Sequence, residues 1–197
     1  MADPPPPADD RVPYTVFGER FFEHAVTEER IVGGFDGLAG NRIEFGPIGA
    51  GPGKLAKVSA EGTFGQASAE RLDSEEISFR LSIPVALDLY IELVDRHRFD
   101  VAVTVRLTLV ARAAEPLRVV IDIDEPTEED VDVVVEADGI RASVLQRVGG
   151  IDREIGRFVA RYIRRELEKP HIVAARDIDV AARIDRAMTR KPDASSD

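Results

Sequence analysis

Between residues 97 and 112, apolar side chains fall at every second position: Phe99, Val101, Val103, Val105, Leu107, Leu109 and Ala111. Side chains of an extended chain alternate between two faces, so this period marks a strand with one buried face. Fully extended, the run spans about 50 Å, whereas a usual strand has about 5–6 residues. In a chain of 197 residues, a strand this long has to bend around something. Other alternating runs accompany it. Ile77, Phe79, Leu81 and Ile83 form one, which Pro84 is expected to end or bend. Val85, Leu87, Leu89, Ile91 and Leu93 form the next, and two more cover 117–124 and 130–137. Turns are expected at 95–97, at Glu115-Pro116 and across 124–130.

Helical spacing flanks these strands. Tyr14, Phe17, Phe21 and Ala25 predict one helix from Pro13 to about Val32, with Gly33-Gly34 breaking it. From Ile140 to Glu168 the apolar positions are Val144, Leu145 and Val148, then Ile155, Phe158, Val159, Tyr162, Ile163 and Leu167. Gly149-Gly150 between the two sets predicts a kink or a break, with Asp152 favouring the second start. Lys169-Pro170 stops the helix, 171–173 pairs or packs back, and Asp177 or Asp179 caps a last short helix through Met188. The expected fold is α+β: a long-stranded, curved antiparallel sheet wrapped around a long C-terminal amphipathic helix, preceded by an N-terminal helix. Residues 1–12 read as a disordered Pro-rich arm, 13–188 as a single domain, and 189–197 as a disordered tail.

Several kinds of chemistry find no support. There is no Cys, which removes disulfides, thiolate catalysis and Cys-ligated metals. His24, His97 and His171 are scattered without metal-ligand spacing, so no metal or other cofactor is expected. GPIGAGPG at 46–53 has close-set glycines but lacks the preceding strand and following helix of a dinucleotide site. It reads as a loop between strands, too rich in Gly and Pro for regular structure. The carboxylates of 122–132 lack the central glycine and final glutamate of a calcium loop, so a solvated hairpin tip is expected. No GxSxG elbow is present, and an enzyme is not expected. The start MADPPPPADD has neither a basic segment nor an apolar one, and no run approaches a membrane span, so a cytoplasmic location is expected.

Charge divides the chain. Residues 1–139 hold 13 Lys/Arg against 28 Asp/Glu, a balance of −15, whereas 140–191 hold 13 against 7, a balance of +6. Arg153, Arg157, Arg161 and Arg165 recur every four residues and share one helix face. Such a face suits peripheral contact with an anionic membrane surface. The bland alternative is a solvated face, partly paired with the acidic strands. Nucleic acid is not an expected partner, because the chain carries −11 overall and only twelve Phe and Tyr, without Trp.

Three segments carry a family resemblance: FRLSIPVALDLYIEL, FDVAVTVRLTLVA and VLQRVGGIDREIGRFVARYIRREL. Their order, over roughly 14–168, resembles the tubular lipid-binding superfamily, which includes bactericidal permeability-increasing proteins, SMP domains and small bacterial lipid-transfer relatives. The resemblance implies a curved sheet around a long helix, with lipid tails in the groove between them. It supplies no catalytic residue. The order is also similar to START domains and polyketide cyclases, although these usually open on a strand. Both resemblances imply an apolar cavity. The expected function is therefore non-catalytic binding or transfer of a lipid or other apolar molecule. Its lining would be Phe79, Leu81, Leu89, Ile91, Val103, Val105, Leu107, Phe158, Val159 and Tyr162. The competing expectation is a homodimeric interaction module with a fully packed core, in which these are ordinary core residues.

Overall fold

The computed structural model describes residues 10–136 and 140–189. Two helices open it, α1 (Tyr14–Ala25) and α2 (Glu28–Gly33). Strands β1 (Arg42–Ala50), β2 (Ala56–Phe64), β3 (Ser68–Arg71), β4 (Ile77–Glu92), β5 (Arg96–Ala114), β6 (Arg118–Ile123) and β7 (Val131–Val135) follow. Then come α3 (Ile140–Val148), α4 (Ile151–Leu167), α5 (Pro170–Ala175), the short strand β8 (Asp177–Asp179) and α6 (Val180–Thr189). The chain is α+β, with a strongly curved antiparallel sheet.

The centre is the β4–β5 hairpin, paired without a slip from Ile77↔Ala111 to Glu92↔Arg96. Its apolar face is continuous and buried: Phe79 to Ile91 on β4, Phe99 to Leu109 on β5. Each long strand is too long for a single neighbour. Along β4, β2 pairs with 85–92 and β3 with 79–82. Along β5, β7 pairs with 101–105 and β6 with 109–114.

Three expectations are corrected. Pro84 does not divide the strand, because β4 runs through it. A residue in an antiparallel strand points its N–H and C=O to the same side. The Pro84 carbonyl accepts from Gly65 N at 2.8 Å, on the side away from β5. Its missing donor therefore faces the gap between β2 and β3, where no ladder bond is lost.

Residues 46–50 are likewise strand, not loop. The register shifts between Phe45↔Ala60 and Ile48↔Val58, so Gly46 and Pro47 form a bulge on an outer strand. Gly46 has φ 86°, and a Cβ there would lie 2.4 Å from the Val58 carbonyl oxygen. Only glycine fits.

The N-terminal helix is two helices. Val26 and Thr27 are extended, Val26 is buried, and the Thr27 hydroxyl accepts from Arg30 N at 3.4 Å to cap α2. The turn brings Val26 into the core and ends the helix that Tyr14 and Phe21 begin.

Gly149 and Gly150, at φ 56° and 65°, separate α3 from α4, which realises the expected break. Helix α4 carries acids in its first turn and arginines in its last, as the helix dipole favours. It buries Ile151, Ile155, Val159, Ile163 and Leu167. A Cβ at Gly156 would lie 3.7 Å from the Glu128 carbonyl oxygen and 4.0 Å from Val131 of β7. Two residues on, the Phe158 ring meets Phe45 of β1 at 4.8 Å, and Tyr162 stacks on Phe64 of β2 at 5.1 Å. Strands β7 and β1 lie on opposite flanks of the β4–β5 hairpin. One helix touches both because the sheet is curled. The proposed arm and tail, apart from residues 10–12 and Thr189, lie outside the described residues, as does residue 137 of the last alternating run.

Two substitutions separate a required glycine from a dispensable one. Gly46→Ala is expected to lower stability by about 2 kcal/mol or more, through strain and overlap with backbone. Gly18→Ala, in α1 with nothing within 4 Å of the added carbon, is expected to raise it by roughly 0.5–1 kcal/mol. Urea unfolding of both variants checks this, and equal midpoints would refute the bulge geometry. Leu89→Ala, at 0% exposure, is expected to cost about 2–5 kcal/mol in the same assay.

Candidate functional site

An apolar groove of about 700 Å³ lies where α1, α2, α5 and α6 meet one end of the sheet. Its base is sheet: Leu109 of β5, Val119, Ile121 and Ile123 of β6, and Ile178 of β8. Helices α1 and α2 supply Phe21, Ala25 and Ile31, with Phe35 just beyond. Helices α5 and α6 supply Ile172, Ala175, Val180, Ile184 and Ala187.

Local geometry fixes the helices at this end. Strand β8 pairs with β6, and Arg118 forms an ion pair with Asp177 across that pairing. Ile121 N donates to the Arg176 carbonyl at 2.8 Å, and Arg176 Nε donates to the Ile121 carbonyl at 3.0 Å. Val180 N donates to the Leu117 carbonyl at 3.0 Å. Asp179 Oδ1 then accepts from Ala182 N at 2.8 Å, which caps α6 as one of the two expected aspartates. Thus α6 is anchored at its start. Neither α1 nor α6 contains a fully buried residue.

The groove's polar side chains are His24, Arg30, Arg176 and Arg183. Among the described residues no Asp or Glu lines it, in a chain with 37 acids and 26 Lys/Arg. Arg30 Nη1 donates to the carbonyls of His24 at 2.9 Å and Ala25 at 2.7 Å, at the end of α1. Among the described residues, none of these three arginines has a carboxylate within salt-bridge distance.

The ten residues expected to line a ligand space lie elsewhere. Phe79, Leu81, Leu89, Ile91, Val103, Val105, Leu107 and Val159 are at most 3% exposed. Phe158 and Tyr162 are half-buried against Phe45 and Phe64. None of the ten borders the groove. Sequence reasoning missed the groove's own residues, although a signal was present. Val180, Ile184 and Ala187 recur at spacings of four and three in the last helix.

The arginine face of α4 is only partly paired. Arg157 Nε donates to Glu128 at 2.7 Å and its Nη1 to Glu154 at 2.9 Å. Arg164 Nε lies 2.8 Å from Glu125, an ion pair outside hydrogen-bond alignment. Arg153, Arg161 and Arg165 are exposed and in no ion pair among the described residues. The acidic stretch 122–132 meets α4 through Glu125 and Glu128 and β5 through Asp122 and Asp132. Asp122 pairs with Arg112, Asp132 with Arg106, and Asp130 accepts from Thr127 N at 2.8 Å. Among the described residues, no group of three or more His, Asp or Glu is placed to hold a metal ion. No helix there is long and apolar enough to cross a membrane.

Burial pushes the Tyr162 phenol above its ordinary value, and the charge of Glu166 adds to the shift. The unfolded chain then releases this proton first, near pH ~10. The contribution to stability is complete below that pH and is lost as pH rises towards the higher folded value. Tyr162→Phe is therefore expected to lose less stability than the parent between about pH 8 and 11, read from urea midpoints. An identical alkaline decline would refute it. The chain matches no protein-family model, no curated protein and no solved structure.

Proposed function

We propose that this chain is a non-catalytic binding protein for a lipid or other apolar small molecule, seated in the groove bordered by α1 and α6. One observation carries the reading. Two helices that bury no residue fully stand over about 700 Å³ of apolar space. Small-molecule sites usually fall between about 300 and 1,000 Å³, apolar with a few placed polar groups. An occupant would cover apolar surface of Phe21, Ile184 and Ala187, which gives a favourable binding term.

In this reading the curved sheet wraps α4 as a packed frame. The ten residues expected as lining act as core, and the ligand sits at one end. The arginines of α4 without ion-pair partners offer a peripheral contact for anionic membrane, from which an apolar ligand would be collected or to which it would be delivered. A second reading has its own support. Tyr14 and Phe17 of α1 and Met188 of α6 are 95%, 59% and 82% exposed, and exposed apolar residues on these helices also suit a homodimer contact.

Native mass spectrometry of the purified protein, followed by organic extraction, tests the proposal. A stoichiometric apolar molecule is expected. Ala187→Trp should weaken binding of an apolar dye about fivefold or more, because the indole fills groove volume at an exposed position. Leu89→Ala should lower stability yet leave dye affinity within about twofold. A bare mass, no dye binding and a concentration-dependent dimer would replace the proposal with the interaction module.

A further inference from the structure

We infer that the groove's ligand is a single-chain amphiphile with a carboxylate head, a long-chain fatty acid in chemical class. The inference rests on the apolar-ligand reading and adds the sign and chemistry of the head group. Its basis is charge complementarity. Among the described residues, every ionisable side chain bordering the groove is an arginine or a histidine, although acids outnumber Lys/Arg across the chain. The groove is a local positive exception in a chain of net charge −11.

The arginines are held in a way that preserves their charge. Arg30 uses Nη1 on two backbone carbonyls, and Arg176 uses Nε on one. A carbonyl fixes the guanidinium without neutralising it. A guanidinium has five donors, so each keeps N–H groups for another acceptor. Arg183, exposed on α6, has no carboxylate partner among the described residues. Guanidinium geometry matches a carboxylate through paired, charge-assisted hydrogen bonds. Apolar surface beside it would strengthen the attraction by excluding water. An uncharged apolar ligand would leave these donors unused. The groove's size, within the small-molecule range, suits one chain.

The test compares a long saturated fatty acid with its methyl ester, both below their aggregation concentrations, by dye displacement from the full chain. The acid is expected to bind about tenfold more tightly, equivalent to about 1.4 kcal/mol. Arg183→Gln should shrink this preference to about threefold or less, and Arg183→Lys should retain most of it. Among the described residues Arg183 makes no ion pair or side-chain hydrogen bond, so these variants are expected to keep the fold. Ala187→Trp should weaken both ligands. Equal affinity for acid and ester would overturn the head-group inference while leaving the apolar groove standing. Binding of neither would overturn both. A preference that survives Arg183→Gln but disappears with Arg161→Gln would place the anion on α4 and overturn the inference. Recruitment to phosphatidylserine vesicles without binding of the monomeric acid would do the same.

Discussion

The structure depends on the register of the β4–β5 hairpin. Its two strands carry one apolar face each, and these faces coincide at every second pair from Phe79↔Leu109 to Leu89↔Phe99. A slip of one residue would turn every inward side chain of one strand to solvent. The cost of such a slip grows with the length of the hairpin, so the two longest strands also have the best-defined pairing. Four shorter strands take their positions from it, two along each edge. The curl that lets α4 touch both β7 and β1 follows from a ribbon too long to stay flat.

Polar contacts then orient parts that the core has already placed. The turn between β6 and β7 reaches α4 through Glu125 and Glu128, which meet Arg164 and Arg157. These side chains are at least 40% exposed, and exposed pairs of this kind contribute about 0–1 kcal/mol each. They set where the acidic turn lies against the basic helix. They also account for part of the charge division between the two halves of the sequence, which is satisfied within the molecule at this seam. On α4, Arg153, Arg161 and Arg165 take no part in it among the described residues.

The long strands were legible because period two persists for many residues and nothing local competes with it. Short or interrupted elements were harder to read. Strand β3 has four residues, SAER, with no apolar alternation, and is held by its ladder with β4. Gly46-Pro47 resembles a loop because bulge chemistry and loop chemistry use the same residues. Pro84 resembles a terminator because the side that its missing donor faces is decided by strands distant in sequence. The groove was invisible for a related reason. Its base comes from β5, β6 and β8 and its borders from α1, α2, α5 and α6, so no local pattern contains it. Periodicity identified which residues avoid water, and tertiary arrangement decided which of them are left partly uncovered.

Helices α1 and α6 are joined to the domain by their ends and by half-buried contacts, whereas the β4–β5 ribbon holds the core. Segments with few buried anchors open with free energies well below that of global unfolding. On that ground these two helices bordering the groove are expected to open more readily than the sheet. Amide exchange in α1 and α6 would report that opening even under conditions where the ribbon amides barely exchange. A bound molecule would slow exchange in both helices together, although they lie far apart in the sequence. The groove in this sense lies at a margin of the domain, away from the register on which the fold rests.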